Sequence, residues 1–232
     1  MTPTAHTARA VAWSRIVLVV VSTLALLVPT VGAIAPARAE APATVTLPGS
    51  HNTAMGCSED WLPSCTEAEL TWDESIGLFT GTFDIPAGDY EFKVAHNLSW
   101  DESYGTGGVS GGDNIAYTHE GGPLTFLYDP VTHEVQNSAQ GPFITLPGSF
   151  NHSLGCGGDW APDCLATWMR DSDGDGVYTF STNRIPEGSY ELKVSESQSW
   201  DVNYGADGAQ GGANYQMSVA AGKTVTFTYT PK

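Results

Sequence analysis

Basic residues are scarce in this sequence of 232 residues, in which Lys and Arg total 9 while Asp and Glu total 26. Three of the basic residues, Arg9, Arg15 and Arg38, precede residue 40. Beyond that point 6 basic residues face 26 acidic ones, so the net charge is 6 − 26 = −20. A negative field of this size repels phosphate backbones and anionic membranes. We therefore expect neither a nucleic acid nor a membrane as a partner.

A long apolar run occurs only once, at residues 16–28. It is shorter than the roughly 20 apolar residues that span a membrane. Arg9 and Arg15 precede the run and Ala37-Arg38-Ala39 follows it, which is the pattern of a secretory signal peptide. Residues 1–39 are therefore predicted to be a cleaved signal peptide, and the mature chain is predicted to be secreted and extracellular.

Cysteine is limited to four residues, and these form two pairs of equal spacing, Cys57 with Cys65 and Cys156 with Cys164. In an exported chain this spacing predicts two small disulfide loops, each stabilising its domain by about 2 to 3 kcal/mol. The alternative is a Cys/His metal site that uses His51 or His152. These histidines occupy different positions in the two loops, which favours the disulfides.

The chain repeats itself after about one hundred residues. VTLPGS at 45–50 corresponds to ITLPGS at 144–149, IPAGDYEFKV at 85–94 to IPEGSYELKV at 185–194, and SWDESYG at 99–105 to SWDVNYG at 199–205. A period of this length indicates two whole domains. We predict a first module at residues 40–138 and a second at residues 143–232, joined by a short polar linker that holds them close together.

Each copy alternates apolar and polar residues in short runs separated by turn residues, and helical periodicity is missing from the mature chain. Seven strands are predicted in the first copy, at 44–47, 70–73, 78–85, 90–96, 115–119, 124–128 and 132–136. This pattern predicts an all-β fold of two immunoglobulin-like antiparallel β-sandwich modules. The second copy lacks a counterpart of the last run, so we expect an open sheet edge there.

Signals for catalysis are weak. Four acids recur between the copies, namely Asp60, Asp159, Asp101 and Asp201, but each loop offers only one, whereas glycoside hydrolysis uses two facing carboxylates. Loop aspartates of this kind usually accept hydrogen bonds from nearby backbone amides. The G-x-S-x-G motif of serine hydrolases is absent. We expect a protein that is not an enzyme and needs no cofactor.

One segment resembles half of a calcium loop. Asp171, Asp173 and Asp175 have the spacing of an EF-hand, but the twelfth position is Thr182 instead of Glu, and a strand follows instead of a helix. A glycine-rich hairpin turn explains the segment better. We expect no metal, with this loop as the candidate if one binds.

Six tryptophans of the mature chain pair off between the copies, as Trp61 with Trp160, Trp72 with Trp168 and Trp100 with Trp200. The second pair lies in strand-like runs and is predicted to be core. The other pairs lie in loops rich in Gly, Asp and Asn, where an aromatic face can hold a sugar ring while polar neighbours bind its hydroxyls. Alternatively, each loop tryptophan plugs the end of its own sandwich.

Several motifs together resemble a known family. The order PGS, D-W-x-P-x-C, IPAGDYEFKV, SWDESYG with GGDN, and TFLYDPVTHEV is similar to the X25-type accessory module of bacterial pullulanases and related amylolytic enzymes. The resemblance covers the mature chain as two copies. It implies a sandwich fold and an accessory association with α-glucans. Ser103 of the first copy departs from the motif, which has Asn at this position, whereas Asn203 of the second copy agrees with it. Whether the two copies have the same function is therefore an open question.

We therefore predict a secreted, non-catalytic protein that binds α-glucan of the starch or pullulan type. Each module is predicted to hold one site, formed by Trp61, Trp100, Tyr104 and Asn114 in the first and by Trp160, Trp200, Tyr204 and Asn214 in the second. The alternatives are a protein-interaction or spacer module, or the accessory N-terminal part of a truncated pullulanase. Binding of both modules to one polymer would add avidity.

Overall fold

A computed structural model describes residues 42–172 and 174–231. It confirms an all-β architecture of antiparallel strands in two similar modules. The predicted signal peptide at residues 1–39 lies outside the described residues. Within the described ranges, no helix is long and apolar enough to cross a bilayer.

Module 1 contains nine strands and one short helix. They are β1 (Val45–Thr46), α1 (Asn52–Met55), β2 (Glu69–Asp73), β3 (Leu78–Ile85), β4 (Gly88–Phe92), β5 (Val94–His96), β6 (Ser103–Tyr104), β7 (Ile115–His119), β8 (Gly122–Tyr128) and β9 (Val135–Asn137), with 3₁₀ turns at Thr66–Ala68 and Thr106–Gly108. Seven strands form one sheet in the order β6-β5-β1-β2-β3-β8-β9, and β4 pairs with β7 in the facing layer.

Module 2 repeats this arrangement with fewer strand pairings. Its strands are β10 (Ile144–Thr145), β11 (Tyr178–Thr182), β12 (Gly188–Leu192), β13 (Val194–Glu196), β14 (Val202–Tyr204), β15 (Tyr215–Val219) and β16 (Val225–Tyr229), with 3₁₀ turns at Asn151–Leu154, Leu165–Thr167 and Ala206–Gly208. The ladders are β10-β13-β14, β11-β16 and β12-β15. Among the described residues, β16 has no partner equivalent to β9.

Two of the predicted strands differ from the observed ones. The run at 90–96 is divided into β4 and β5, because it passes from one layer of the sandwich to the other. The run at 132–136 becomes strand only from Val135, because a turn precedes it. In this turn the side chain of Asp129 accepts the amide hydrogen of Val131 at 2.8 Å, and its backbone oxygen accepts that of His133 at 2.8 Å.

Each module has its own hydrophobic core. In module 1, β4, β7 and β8 place alternate side chains inward, so that Phe92, Tyr117 and Phe126 are almost fully buried. In module 2, Phe227 and Tyr229 of β16 occupy the corresponding place. Alternation with a period of two therefore accounts for both cores.

The repeated PGS motif is explained by close backbone contact. Gly49 makes a bridge with Phe92, and a Cβ atom on Gly49 would lie 2.5 Å from the oxygen of Glu91 and 2.7 Å from Cβ of Phe92. Gly148 makes the same bridge with Leu192 in module 2. A side chain at either position would force the two layers apart, since Cβ atoms do not approach this closely.

A buried asparagine follows this motif in both modules. Asn52 is fully buried; its Oδ1 accepts hydrogen bonds from the amides of Gly49 at 3.0 Å and Leu62 at 3.2 Å, and its Nδ2 donates to the oxygen of Leu47 at 2.8 Å. Asn151 makes the equivalent three bonds in module 2. This side chain fastens the disulfide loop to the first strand, a role that the sequence pattern does not reveal.

The two modules are in contact. Leu78, Leu127, Phe143 and Trp168 form a buried cluster to which both modules contribute. Leu127 lies between Phe126 and Tyr128 on the opposite face of β8, and it is fully buried because module 2 covers that face. Trp168 donates its indole N–H to Oε1 of Gln136 at 3.1 Å. The short linker therefore joins two modules that pack against each other.

Candidate functional site

The doubled SWD loop forms the tip of a hairpin in each module. Asn97 and Leu98 both have positive φ, 54° and 60°, and the amide of Ser99 donates to the oxygen of His96 at 3.2 Å. Positive φ at both central residues is what a type I′ hairpin turn requires. Ser197 and Gln198 repeat it with φ of 54° and 57°. The two tips thus have the same backbone conformation.

This turn exposes one indole in each module. Trp100 and Trp200 are each 42% exposed, whereas most other large apolar side chains of the described residues are covered. The hydroxyl of Ser99 accepts the amide hydrogen of Asp101 at 3.0 Å, and Ser199 does the same for Asp201 at 3.1 Å. An exposed indole beside a carboxylate, on a turn fixed by its own hydrogen bonds, is suited to stack on a sugar ring.

The tyrosine of the motif does not take part in this surface. Tyr104 is only 8% exposed, and its ring stacks on His133 with centroids 3.7 Å apart and an interplanar angle of 9°. Its hydroxyl donates to Glu102 at 2.7 Å, and burial together with this bond raises the pKa of Tyr104 to about 12. The prediction of Tyr104 as an open platform is therefore wrong, because His133 already occupies its face.

Tyr204 is partly covered in module 2. It packs against the core, with its ring 6.0 Å from that of Tyr229. Burial raises the pKa of Tyr204, with the charge of Glu196 adding to the effect. It is therefore a half-buried part of the sandwich, unlike the indole of Trp200 at the hairpin tip.

The remaining predicted residues lie at the other end of each first strand. The amide of Asn97, beside the hairpin tip, donates to the oxygen of Thr44, whereas the amide of Trp61 donates to the oxygen of Gly49. Thr44 and Gly49 are five residue steps apart, which is roughly 16 Å along an extended chain. Trp100 and Trp61 therefore do not form one site, and the same division holds for Trp200 and Trp160.

Asn114 and Asn214 belong to this second end. Asn114 donates from Nδ2 to Oε2 of Glu91 at 3.0 Å, and Asn214 donates to Oε2 of Glu191 at 2.9 Å. In module 2, Gln216 also donates to Glu191, at 2.6 Å, and the bonds from Gln216 and Asn214 lower the pKa of this carboxyl. The asparagines thus form a polar rim with half-buried Trp61 and Trp160, away from the hairpin tips.

The recurring aspartates have a structural role at this rim. Oδ1 of Asp60 accepts the amide hydrogen of Thr53 at 2.9 Å, and Oδ1 of Asp159 accepts that of His152 at 3.1 Å. The expectation that these loop acids bind nearby backbone amides is confirmed for both.

Both predicted disulfides are formed, Cys57 with Cys65 and Cys156 with Cys164. They are consistent with an exported protein. In the candidate calcium loop, Asp171 accepts the amide hydrogens of Asp175 and Gly176, both at 3.0 Å, while Asp175 accepts that of Val177 at 2.8 Å. These bonds are those of a hairpin turn. Asp173 lies outside the described residues.

The register of the strands corrects one of the tryptophan pairs. The first strand of each module makes the same pairing, Val45 with Leu70 and Ile144 with Met169. Trp168 is therefore the counterpart of Glu69, and Trp72 is the counterpart of Asp171. The prediction that Trp72 and Trp168 are equivalent is wrong: Trp72 covers its own module's core, whereas Trp168 lies between the modules.

Comparison with known proteins gives one family for both modules. The profile of the family described as "Pullulanase X25 domain" matches residues 44–135 and 143–232. An amylopullulanase of Thermoanaerobacter thermohydrosulfuricus is 35% identical over 197 residues, which cover 82% of this chain and 13% of that protein. An amylopullulanase of Thermoanaerobacterium saccharolyticum is 36% identical over 157 residues, 65% of this chain and 12% of that protein.

Solved structures show a more distant likeness. The pullulanase of Bacillus acidopullulyticus is 17% identical with a TM-score of 0.37, over 82% of this chain and 26% of that one. SusF of Bacteroides thetaiotaomicron is 13% identical with a TM-score of 0.27, over 87% and 50%. The chain spans only about an eighth of the length of the curated relatives above. Because the family profile matches most of its length, the chain belongs to the pullulanase X25 domain family. The chain contains two tandem copies of this domain.

Proposed function

We propose that this protein is a secreted, non-catalytic module pair that binds α-glucan through the indoles of Trp100 and Trp200. The observation that carries the proposal is the equal exposure, 42%, of one tryptophan at the same turn of both modules. Burying a large apolar ring contributes to folding, so leaving it exposed twice on a fixed turn favours a binding role.

The chemistry of the tip matches a neutral sugar. The indole offers a flat face, and Asp101 or Asp201 offers an acceptor for hydroxyl groups. The strongly acidic chain disfavours anionic ligands. The identified relatives are named amylopullulanases, which supports a starch- or pullulan-type glucan as the ligand.

The absence of catalysis is part of the proposal. The recurring acids Asp60 and Asp159 accept backbone hydrogen bonds, and the exposed acids Asp101 and Asp201 lie on separate modules. Two carboxylates facing each other across a cleft, which glycoside hydrolysis requires, are not supplied by either hairpin.

Affinity electrophoresis through soluble starch and pullulan tests the proposal. We expect the protein to be retarded, and we expect the double variant Trp100→Ala, Trp200→Ala to be retarded far less than the unmodified protein. Val131→Ala is the matched control, because it removes another exposed apolar side chain, 62% exposed, which lies in the turn after β8 and not in either SWD loop. A double variant that is retarded like the unmodified protein would contradict the site, and an unmodified protein that is not retarded would contradict the function.

A rigid spacer is the second candidate, favoured by the buried cluster and the bond from Trp168 to Gln136 between the modules. A rigid spacer would not be retarded by glucan, and its small-angle X-ray scattering would be that of a single compact particle. The same electrophoresis therefore separates the two functions.

A further inference from the structure

A cleft lies between the modules, at a position where the two copies differ in one covering residue. In module 1, Trp72 lies opposite Phe79, and the two rings are 4.9 Å apart. In module 2, Asp171 takes the place of Trp72, and the aromatic residue opposite is Tyr178. A small carboxylate thus stands where module 1 has an indole, and the ring of Tyr178 remains only half-buried.

The space left open has a volume of about 420 Å³, which is within the range of small-ligand sites. Module 2 supplies Tyr178, Asp171 and Arg170 to its lining. Module 1 supplies the glycine-rich backbone of residues 105–108 and the side chain of Gln140. The cleft is therefore formed only when both modules are in place.

Ion pairs and stacking hold one side of the cleft in position. Arg170 lies 4.5 Å above the ring of Trp168, and its Nη2 is 2.6 Å from Oδ2 of Asp129. Its Nη1 is 3.6 Å from Oε2 of Glu134. Because two carboxylates already face this guanidinium, it is not available as a site for an anionic ligand.

The groups that remain are those that bind a neutral polyol. Asp171 accepts one backbone hydrogen bond on each oxygen, which leaves a lone pair on each for a hydroxyl. Gln140 accepts the amide hydrogen of Asn137 at 3.0 Å, and among the described residues nothing accepts from its amide nitrogen. Tyr178 supplies the flat face. An aromatic ring with one acceptor and one amide donor fits a hexose better than a cation. Among the described residues that line the cleft, Asp171 is the one carboxylate without an ion pair.

We propose that this cleft is a third carbohydrate site, which takes a short stretch of neutral α-glucan with Tyr178 as its platform. The proposal rests on the proposed function for the class of ligand, but it uses none of the residues of the hairpin tips. It assigns to the pair of modules a site that neither module has alone.

An NMR titration with maltotriose tests the cleft and the tips separately. The indole N–H signals of Trp100 and Trp200 report on the tips, while those of Trp168 and of the Gln140 side-chain amide report on the cleft. We expect both sets to shift. In Asp171→Trp, which restores the residue of module 1 and fills the cleft, we expect the signals of Trp168 and Gln140 to stop responding while those of the tips still shift.

The outcomes are distinct. If the tip signals shift but those of Trp168 and Gln140 do not, or if Asp171→Trp leaves their response unchanged, the cleft proposal is overturned and the proposed function stands. If no signal shifts, the proposed function itself is contradicted. Since Asp171→Trp alters a turn, Gln140→Ala is the second variant. It changes an exposed side chain, and we expect it to weaken the cleft response at least threefold while leaving the tips unaffected.

Discussion

The two modules fill the same core position with different chemistry. In module 1, fully buried His51 donates from Nε2 to the oxygen of Leu47 at 3.0 Å and accepts the hydroxyl hydrogen of Tyr117 on Nδ1 at 2.8 Å. In module 2 the corresponding residues are Phe150 and Met217, both buried. A β-sandwich therefore requires that this volume be filled, and it accepts either a hydrogen-bonded pair or an apolar one.

A second position differs in the same way. His96 of module 1 lies 2.7 Å from the hydroxyl of Tyr128 and 3.0 Å from Glu102. In module 2, Tyr229 donates instead to Glu196 at 2.9 Å. Burial lowers the pKa of both His51 and His96. Among the described residues, module 1 has three buried histidines, His51, His96 and His119, and module 2 has none, so the stabilities of the two modules are expected to respond differently to pH.

The largest expected effect concerns the face where the modules meet. Trp168→Ala removes a side chain that is only 2% exposed, and we expect it to lower the free energy of unfolding by about 3 to 5 kcal/mol. Its counterpart in module 1, Glu69, lies outside that face, so Glu69→Ala is the control, with a change within about 0.5 kcal/mol. Urea unfolding followed by fluorescence measures the free energy of unfolding of both variants. If Trp168→Ala lowers it as little as Glu69→Ala does, the contact of Trp168 between the modules adds no stability.

The next effect tests where the modules are alike. Asn52→Ala and Asn151→Ala each remove the acceptor of two backbone amides and the amide donor to one carbonyl oxygen. In module 1 that oxygen, of Leu47, keeps its hydrogen bond from His51. Since an unpaired buried group costs about 1 to 3 kcal/mol, we expect each variant to lose roughly 3 kcal/mol. The denaturation midpoints of the two variants are compared with that of the unmodified protein. If only one of the two variants is destabilised, the two disulfide loops are not held in the same way.

The smallest effect depends on pH. Because the folded-state pKa of His51 is lowered, the unfolded chain binds a proton below about pH 6.5 that the folded chain does not, so stability falls as the pH decreases. The slope is at most about 1.4 kcal/mol per pH unit for each such histidine. We expect the double variant His51→Phe, Tyr117→Met, which copies module 2, to reduce this slope.

Thermal unfolding at pH 7.5 and pH 5.0 measures the difference. The destabilisation of the unmodified protein on acidification should be greater than that of the double variant, in which His96 still contributes. Identical shifts of the melting temperature in both proteins would show that His51 does not carry the pH dependence.

Local pattern was sufficient to predict much of the fold. The repeat, the two disulfides and the strands at 78–85 and 115–119 follow from spacing and alternation, which depend on near neighbours in sequence. The exposure of Trp100 and Trp200 also agrees with their position in a polar turn. These features need no knowledge of how distant segments meet.

The predictions that are wrong depend on distant segments. Tyr104 is covered by His133, which is supplied by a turn after β8. Trp168 is buried as predicted, but it is buried against the other module and is not the counterpart of Trp72. Trp61 and Trp100 are separated because they lie beside opposite ends of the segment 44–49, which the order of motifs along the chain does not show. The cleft over Tyr178 likewise results from packing between the modules.

The most direct test of the central claim compares the two tips one at a time. The dissociation constants of Trp100→Ala and Trp200→Ala for soluble starch would be measured beside those of the unmodified protein and the double variant. If both modules bind one polymer, each single variant loses avidity by at least about tenfold, and the double variant loses the binding that the tips provide. A single variant that binds starch as tightly as the unmodified protein would contradict the claim that both tips bind glucan.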